Sequence, residues 1–459
     1  MIKHTKIRKI HFVGIGGAGM SGIAEVLHNM GFEITGSDIS DNNVVKRLKG
    51  LGIKIYKGHN EKNVMNVETL VYSSAIKKDN PELIKAKERK IPVIPRAEML
   101  AELMRMKFSI AVAGTHGKTT TTSMIACILS EAKKDPTFVV GGRLKSFDSG
   151  AKFGKSDYFV AEADESDKSF IKLYPTISVI TNIENDHLDN YNNFEELKDY
   201  FIRFANKVPF YGYVIINNDC KTSKNILHKI NKRVITFGIK NESDIMAKDI
   251  QVEEFKSIYS LYINNEYINK IKLNVGGIHN IYNSLSAISS LYHIGINMKS
   301  TKNSLNNFSL PDRRFQILFK NKDFTIIDDY AHHPSEIKST IKTIKSGKHK
   351  RIIVVFQPHR YTRLKLLMNE FSRCFNGVDE LILTPLYSAG QKPIKGINSL
   401  RLKEEIEKKN KKIKVSYIKK MEDIEDYLLK IIKSKDVVVF LNAGNLTSHA
   451  HSFVKKLEV

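Results

Sequence analysis

The sequence predicts an α/β protein of three domains, in which parallel sheets are covered by helices. Short runs rich in β-branched residues alternate with helical segments along the chain, a pattern typical of such sheets. Two of these runs lead into glycine-rich turns that are followed at once by helices. The length of 459 residues also exceeds what one ordinary hydrophobic core accommodates. We predict domains at residues 1–107, 108–310 and 311–459.

Each predicted domain has its own series of strands. The first begins with a strand, turn and helix in KIHFVGIGGAGMSGIAEVLHNMG and continues with the strands EITGSD and TLVYSSAI. The second begins with the strand FSIAVA, continues through YFVAEAD and ISVITN, and ends in an amphipathic helix in GGIHNIYNSLSAISSLYHIG. The third contains the strands TIIDDY, RIIVVFQ, LILTPLY and VVVFLNAG, separated by helical segments.

Composition excludes several classes of protein. The formal net charge of +24 invites a nucleic-acid hypothesis, but the lysines are scattered beside acidic residues and no nucleic-acid-binding motif accompanies them. We therefore predict no nucleic-acid partner. The chain has no apolar run of about 18 residues and no signal peptide, which predicts a cytoplasmic protein without membrane insertion. The three widely spaced cysteines agree with a reducing compartment.

The first glycine turn, GIGGAG, predicts a pyrophosphate site. Gly14, Gly16 and Gly19 follow a strand and precede a helix, where glycine permits a tight turn and close approach of the backbone to phosphate. Asp38 ends the next strand, at a distance along the chain suited to binding a ribose. Both a nicotinamide dinucleotide and a UDP-sugar carry a pyrophosphate, so this motif leaves the two open.

The second glycine turn, GTHGKTTTT at 114–122, predicts a nucleoside triphosphate site. Free backbone N–H groups at the helix start face phosphate oxygens, Lys118 adds a cation, and Thr119 adds a hydroxyl for Mg²⁺. The match to G-x-x-x-x-G-K-[ST] is incomplete, because Val112 occupies the position of the first glycine and Gly114 is the upstream glycine instead. This departure from the usual pattern indicates a particular branch of the enzymes that bind nucleoside triphosphates with such a loop.

Two residues after central strands are candidate metal ligands. Glu162 ends the strand YFVAE, where a carboxylate oxygen beside the phosphate loop suits Mg²⁺. His187 follows the next strand, but imidazole is a less usual Mg²⁺ ligand, so the residues alone leave it between metal ligand and structural histidine.

Eight segments together resemble the Mur ligase family, the ATP-dependent amino-acid ligases that build the peptide of the bacterial wall. In chain order they are HFVGIGGAGMSGIA, GTHGKTTTT, AEADESD, NIENDHLD, IHNIYNSLSA, RRFQ, DDYAHHP and FQPHRYTR. They are most similar to the branch that adds alanine. The resemblance implies a Rossmann-like N-terminal domain for the UDP-sugar, a central P-loop domain for ATP, and a Rossmann-like C-terminal domain.

The resemblance also implies the reaction. The substrates would be UDP-N-acetylmuramate, L-alanine and ATP, with Mg²⁺ or Mn²⁺ as the metal, and the route would pass through an acyl phosphate. The enzyme would be a monomer or homodimer. Two alternatives stay open: a recycling ligase that adds a tripeptide to the same UDP-sugar, and, remotely, an NAD-dependent oxidoreductase.

Site residues follow from the positions that match the family motifs. The catalytic set implied is Lys118, Glu162, His187, Arg314 and His332, with Thr119, Glu162 and His187 holding metal. Nucleotide contacts are implied at Gly114, Thr115, His116, Gly117, Lys118, Thr119, Thr120, His279, Asn280, Asn283, Arg314 and Asp329. UDP-sugar contacts are implied at Gly14, Gly16, Gly17, Gly19, Met20, Ser21, Asp38, Ser73 and Ser74, and alanine contacts at His359, Arg360 and Arg363.

Within these sets Arg314 would bind phosphate, Asp329 the ribose, and His332 would face the reaction centre. Paired arginines suit the free carboxylate of alanine. The role of the turn at 442–450 and the base that deprotonates the amine stay open at this level.

Overall fold

The structure is a computed structural model that describes residues 7–185 and 190–458. Its contacts divide the chain into two compact units. The first comprises Met1–Lys248, Ser260–Ile271 and Tyr282–Phe308; the second comprises Asp249–Tyr259, Lys272–Ile281 and Ser309–Val459.

The N-terminal sheet contains five parallel strands among the described residues, in the order β3-β2-β1-β4-β5. The chain moves outward from β1 to β3 and then returns to the other side of β1, so the carboxyl ends of β1 and β4 form a switch point where α/β sheets bind ligands. The elements are β1 (Lys9–Val13), α1 (Ala18–Asn29), β2 (Glu33–Asp38), α2 (Asn43–Gly50), β3 (Lys54–Lys57), β4 (Thr69–Tyr72), α3 (Pro81–Glu88), β5 (Val93–Pro95) and α4 (Arg96–Arg105).

The central sheet is larger, with ten strands in the described part of the chain and the order β15-β14-β13-β12-β11-β10-β6-β9-β7-β8. Strand β6 lies between β9 and β10, and both pair with it in parallel. The elements are β6 (Phe108–Ala113), α5 (Lys118–Glu131), β7 (Thr137–Leu144), β8 (Ser149–Lys152), β9 (Tyr158–Glu162), β10 (Ile177–Ile180), α6 (Phe194–Ala205), β11 (Tyr213–Asn217), α7 (Lys221–Ile226), β12 (Val234–Gly238), β13 (Ile245–Val252), β14 (Ser257–Ile263), β15 (Glu266–Leu273), α8 (Ile278–Tyr292) and α9 (Met298–Asn306).

The C-terminal sheet has the order β16-β17-β21-β18-β19-β20. Only its edge strand β16 is antiparallel among the pairings that the structure describes. The elements are β16 (Gln316–Lys320), β17 (Phe324–Asp329), α10 (Pro334–Lys345), β18 (Arg351–Phe356), α11 (Tyr361–Leu366), α12 (Met368–Phe371), β19 (Glu380–Leu383), α13 (Ser399–Lys409), β20 (Lys414–Tyr417), α14 (Ile424–Ile431), β21 (Asp436–Leu441) and α15 (Leu446–Leu457).

Inner strands of the central and C-terminal sheets are buried on both faces, as expected where helices cover a parallel sheet. Strand β21 is buried at all six positions, and β10 at all four. The predicted α/β class with a parallel sheet in each part is confirmed. Among the described helices, none combines the length and apolar character that crossing a membrane would require.

The meander β13-β14-β15 was not predicted from the sequence. Its tight turn between β14 and β15 uses Asn264 and Asn265, both with positive φ, at 49° and 66°. Two successive left-handed residues are the requirement of a type I′ hairpin turn, and asparagine tolerates that conformation better than most residues. The pattern INNEY was therefore a local signal for this hairpin.

An ion pair between a partly exposed arginine and a buried carboxylate joins two neighbouring strands at their amino ends. Arg351 and Asp436 are register partners on β18 and β21, and the arginine Nε donates to Asp436 Oδ1 at 3.0 Å. Asp436 is 1% exposed, and it also accepts from the backbone N–H of Lys433 at 2.7 Å. Removing the arginine alone leaves a buried carboxylate without its counter-charge.

We predict that Arg351→Met lowers the free energy of unfolding by about 2 kcal/mol, because a partly exposed pair loses less than a fully buried one. Urea unfolding followed by circular dichroism measures this change, since the chain has no tryptophan. Arg401→Met is the matched control, because its pairs with Glu404 and Glu405 are half-exposed and should contribute under about 0.5 kcal/mol. Equal effects of the two substitutions would contradict the assignment.

Candidate active site

The phosphate loop follows β6 and depends on two glycines. Gly114 and Gly117 have φ of +136° and +82°, which other residues adopt only with strain. A Cβ at Gly114 would overlap the Thr181 hydroxyl, and one at Gly117 would overlap the side-chain oxygen of Asn283. The loop therefore approaches β10 and α8 too closely for any larger residue. Gly117 is also the N-cap of α5, so the free amides of that helix begin at the loop.

Lys118 is held inside this loop by a carboxylate. Its Nζ donates to the Gly114 carbonyl at 2.7 Å and to Glu165 Oε1 at 2.9 Å. Burial disfavours the charged lysine, but Glu165 and Asp164 outweigh burial and raise its pKa. Burial raises the pKa of Glu165 to about 7, against the opposing effect of Lys118. Glu165, which is 1% exposed, was missed by the sequence analysis although it lies in the AEADESD motif.

Glu162 lies where the strand pattern predicted it. Strands β9 and β6 are parallel with Val112 opposite Glu162, so this carboxylate ends its strand beside the phosphate loop. The backbone N–H of Gly141 donates to Glu162 Oε1 at 2.5 Å. The buried Thr119 lies in the first turn of α5, on the same edge of the sheet. A carboxylate and a hydroxyl are hard oxygen donors that fit Mg²⁺. His187 lies outside the described residues.

The rest of the phosphate loop is fastened to the segment after β10. The backbone N–H of His116 donates to Asn182 Oδ1 at 2.9 Å, and the backbone N–H of Glu184 donates to the Thr115 hydroxyl at 2.9 Å. Thr120 is buried at the first turn of α5. These contacts fix the path of the loop without using its N–H groups at the helix start.

The N-terminal glycine turn is shaped by the strand beside it. Gly14 has φ of +78°, and its N–H donates to the carbonyl of Ser37 at 2.8 Å. Asp38 Oδ2 accepts from the backbone N–H of Gly16 at 2.8 Å, so this carboxylate holds the turn itself. A Cβ at Gly19 would lie 2.9 Å from a guanidinium nitrogen of Arg96.

The other residues implied for the UDP-sugar surround this turn. Gly17 is the N-cap of α1, and Met20 and Ser21 are buried in its first turn. Ser73 follows β4 and donates its N–H to the Val13 carbonyl at 3.2 Å, which places it beside the end of β1. Its neighbour Ser74 is exposed. The structure thus gathers these positions at the switch point of the N-terminal sheet.

Asp329 ends β17 in the second unit and is buried. Its Oδ2 accepts from the Thr340 hydroxyl at 2.5 Å, and its Oδ1 accepts from the Ala331 N–H at 3.3 Å. Burial raises the pKa of Asp329 to about 6, although Thr340 and Arg314 oppose the shift. The carboxylate is therefore ionised at neutral pH at a cost in stability.

Glu336 organises the residues that follow β17. It accepts from the backbone N–H of His332 at 3.0 Å and forms a capping box with His333 at the start of α10. Arg314 lies 3.9 Å from Glu336, and its guanidinium stacks over the Tyr330 ring. Glu336 was not among the predicted site residues, although the sequence HPSE carries a capping signal, with proline at the first helical position and glutamate at the third.

The alanine-contact candidates follow β18. Arg363 is 6% exposed, and its guanidinium lies 3.2 Å from His359 Nδ1. The rings of His359 and His332 meet edge to face with centroids 5.7 Å apart, which joins the ends of β18 and β17. Arg360 has φ of +67°, and its buried Nε has no hydrogen-bond partner among the described residues. This donor suits an anionic group.

Three further positions complete the second unit. Burial lowers the pKa of His279 to about 4, so its ring is neutral at neutral pH. Asn280 is buried and donates its side-chain amide to the Gly276 carbonyl at 2.7 Å. Asn442, whose role the sequence left open, lies fully buried between Arg313, 3.1 Å from its side-chain oxygen, and Asp328, 3.3 Å from its amide.

The candidate residues therefore occupy three described clusters. The phosphate loop, Glu162 and Asn283 lie together in the first unit, and the N-terminal glycine turn with Asp38 and Ser73 lies at its own sheet in that unit. The third cluster, in the second unit, contains Arg314, Asp329, His332, His359, Arg360 and Arg363.

Comparisons with known proteins cover nearly the whole chain. Family models match in order: "Mur ligase family, catalytic domain" over residues 9–108, "Mur ligase middle domain" over 112–291, and "Mur ligase, glutamate ligase domain" over 313–444. A protein of Geotalea uraniireducens (strain Rf4) named UDP-N-acetylmuramate--L-alanine ligase is 47% identical over 99% of both chains. One of Sulfurihydrogenibium sp. (strain YO3AOP1) with the same name is 47% identical over 98% of both chains.

Solved structures agree with this similarity. A UDP-N-acetylmuramate-alanine ligase from Thermotoga maritima aligns with a TM-score of 0.84 at 28% identity, covering 98% of this chain and 99% of its own. A murein peptide ligase from Psychrobacter arcticus 273-4 shares the fold, with a TM-score of 0.73 at 23% identity over 98% of each chain.

The buried charge of Asp329 gives a testable pH dependence. The unfolded carboxyl ionises near pH 3.8 and the folded one near pH 6, so its contribution to stability falls as the pH rises through this window and is constant above it. The advantage of Asp329→Asn over the wild type in free energy of unfolding should therefore grow by about 1 to 3 kcal/mol as the pH rises from 4 to 7. Thermal melting across pH 4 to 8 measures the difference.

A second variant checks the cause. Thr340→Val removes the hydroxyl that donates to Asp329 and stabilises its ionised form, so its loss of stability relative to the wild type should grow as the pH rises. A gap between Asp329→Asn and the wild type that stays constant from pH 4 to pH 8 would refute the buried-charge interpretation.

Proposed function

Because this chain belongs to the Mur ligase family, we propose that it joins L-alanine to the carboxylate of UDP-N-acetylmuramate, with ATP converted to ADP and phosphate. The observation that carries the proposal is the full-length similarity at 47% identity to ligases of that name. The product, UDP-N-acetylmuramoyl-L-alanine, is a precursor of peptidoglycan. The reaction belongs in the cytoplasm, and the enzyme acts as a monomer or homodimer.

The UDP-sugar binds at the N-terminal glycine turn. The carboxyl ends of β1 and β4 form the switch point of that sheet, and the dipole of α1 favours a pyrophosphate there. Asp38 supports this assignment by fixing Gly16, which lets the backbone approach phosphate in a defined shape.

ATP binds at the phosphate loop. The N–H groups at the start of α5 and the ammonium of Lys118 contact its phosphates, and Lys118 stabilises charge on the phosphoryl group that is transferred. Bound Mg²⁺, held by Thr119 and Glu162, would neutralise further phosphate charge there. Among the positions that match the family's nucleotide contacts, Arg314 would bind phosphate and Asp329 the ribose. His279, Asn280 and Asn283 match further nucleotide contacts.

The reaction proceeds in two steps. A carboxylate is a poor electrophile, so a carboxylate oxygen of the sugar attacks the γ-phosphorus of ATP, and the bond to the β-phosphate oxygen breaks to release ADP. The alanine amine then attacks the acyl carbon of the acyl phosphate. The tetrahedral intermediate loses phosphate and the amine loses a proton, which leaves the amide. The residues position and stabilise charge, without a covalent bond to the protein.

Arginines after β18 bind the alanine carboxylate. Arg360 offers a buried Nε without a partner among the described residues, and Arg363 is buried against His359. Guanidinium groups pair with carboxylates by two parallel hydrogen bonds, so this pair would orient the amine toward the acyl group. His332 lies beside His359 and faces the same end of the sheet.

Phosphate release tests the function directly. The purified protein is incubated with ATP, Mg²⁺ and UDP-N-acetylmuramate, with no amine, with L-alanine, or with L-alanyl-γ-D-glutamyl-diaminopimelate, and the product mass is measured. We expect release that depends on alanine and a product of the matching mass. Lys118→Ala should release no phosphate while still binding the UDP-sugar, because the substitution removes only the cation that stabilises charge on the transferred phosphoryl group.

The other outcomes each point elsewhere. Release only with the tripeptide would identify a recycling ligase. No phosphate release with any amine would contradict a ligase and favour a nicotinamide dinucleotide as the ligand of the first glycine turn. Nearly normal release by Lys118→Ala would overturn the role of that lysine.

Arg363→Ala should raise the KM for alanine about 30-fold with a small change in kcat, because a charged hydrogen bond to substrate contributes about 2 kcal/mol. Steady-state kinetics with saturating ATP and UDP-sugar measures both constants. Arg373→Ala is the matched control, since Arg373 is exposed in the same domain and should leave both constants unchanged. An unchanged KM in Arg363→Ala would place the carboxylate site elsewhere.

A further inference from the structure

We propose that Glu82 is a positioning residue for the UDP-sugar, which acts through Ser37 to hold the N-terminal glycine turn in its binding shape. This inference rests on the proposed function, because it assumes that the turn binds the UDP-sugar. Glu82 lies in the first turn of α3, far along the chain from the glycine motif, and no motif described above includes it.

Glu82 is the centre of a buried polar cluster. Its side chain is fully buried, and its Oε2 accepts from the Ser37 hydroxyl at 2.6 Å and lies 3.0 Å from His59 Nδ1. Its Oε1 accepts from the Asn63 side-chain amide at 2.6 Å and lies 3.6 Å from the buried His11 Nε2. Groups from β1, β2 and the segment after β3 thus converge on this carboxylate of α3.

Such a carboxylate is ionised inside the domain. Burial alone would raise its pKa, but the nearby ring of His11 and the hydrogen bonds from Ser37 and Asn63 lower the pKa of Glu82 to about 2. Hydrogen bonds to a buried ion are stronger and more directional than neutral ones, so the cluster holds Ser37 in one position.

Ser37 passes this constraint to the glycine turn. Its carbonyl accepts the N–H of Gly14 at 2.8 Å and that of Ile15 at 3.1 Å, and the next residue, Asp38, accepts from Gly16. On the other side, Gly36 leaves room for the Ile15 side chain, because a Cβ there would lie 2.6 Å from it. The segment Gly36-Ser37-Asp38 therefore shapes three successive residues of the turn, and Glu82 fixes the middle of that segment.

The chemistry of the cluster favours positioning over direct contact. Both carboxylate oxygens of Glu82 face protein donors, and an anion would repel the pyrophosphate of the substrate if it faced the turn. A purely structural role would change the stability of the domain without favouring one ligand. A positioning role should weaken binding of the UDP-sugar and leave binding of ATP unchanged, because the phosphate loop proposed to bind ATP follows a strand of another sheet.

The test measures binding of UDP-N-acetylmuramate and of ATP with Mg²⁺ by calorimetry in the full-length protein. Glu82→Gln should raise the Kd for the UDP-sugar at least about tenfold and change the Kd for ATP less than about twofold. In kinetics the KM for the UDP-sugar should rise while kcat stays within about threefold. Ser37→Ala removes the side-chain hydroxyl and keeps the backbone carbonyl, and it should raise the Kd for the UDP-sugar about threefold or more. This variant replaces Glu82→Gln in the test if Glu82→Gln does not fold.

Glu25→Gln is the matched control. Glu25 is also a buried carboxylate of the N-terminal part, paired with Arg47 at 2.6 Å and accepting from Ser149, but it touches none of the Ser37 cluster. Its UDP-sugar Kd should stay within about twofold of the wild type. Melting temperatures of all variants confirm that each is folded under the assay conditions.

The outcomes separate the inference from the function. If either Glu82→Gln or Ser37→Ala is folded and has an unchanged Kd for the UDP-sugar, the inference is wrong but the proposed function stands. The same holds if binding of the UDP-sugar and of ATP weakens equally. A wild-type protein that does not bind the UDP-sugar would overturn the assignment of the glycine turn, and the inference with it.

Discussion

The close approach of the phosphate loop to its neighbours is the constraint on which the rest of the site depends. Gly114 and Gly117 have left-handed φ values and leave no room for a Cβ, because Thr181 and Asn283 occupy that space. The loop is thereby pressed between the segment after β10 and helix α8. Its shape is set before any ligand arrives, which is the condition under which N–H groups and a lysine stabilise transferred phosphate without reorganising.

Buried carboxylates recur where the proposed ligands carry phosphate or ribose. Glu165 pairs with Lys118, Glu82 holds Ser37, and Asp329 accepts from Thr340, each at 7% exposure or less. Their pKa values move in different directions, because Glu82 has enough donors to overcome burial whereas Glu165 and Asp329 do not. Charge that is buried with incomplete compensation lowers stability, and proteins tolerate it where function requires it.

Parallel sheets explain why separate motifs meet. In each sheet the motifs follow strands that run the same way, so their side chains emerge at one edge. Glu162 reaches the phosphate loop because β9 pairs with β6, and His332 reaches His359 although β21 lies between their strands. The capping box of Glu336 then fixes the start of α10 and the backbone of His332 together.

The sequence by itself determined the α/β class, the strands that lead into both glycine turns, and the family, because glycine spacing and runs of β-branched residues are local properties. Strand β6 spans the predicted residues 108–113, and Glu162 lies where its strand pattern placed it. The hairpin at Asn264 and Asn265 also had a local signal, because asparagine tolerates the left-handed conformation that its turn requires.

Only the tertiary structure decided the roles of Glu82, Glu165 and Asn442. Each acts on residues brought near by folding: 45 positions separate Glu82 from Ser37, and 47 separate Glu165 from Lys118. Burial and hydrogen bonding give these side chains their charge state and their effect, and neither property is encoded in the identity of a residue or of its neighbours along the chain.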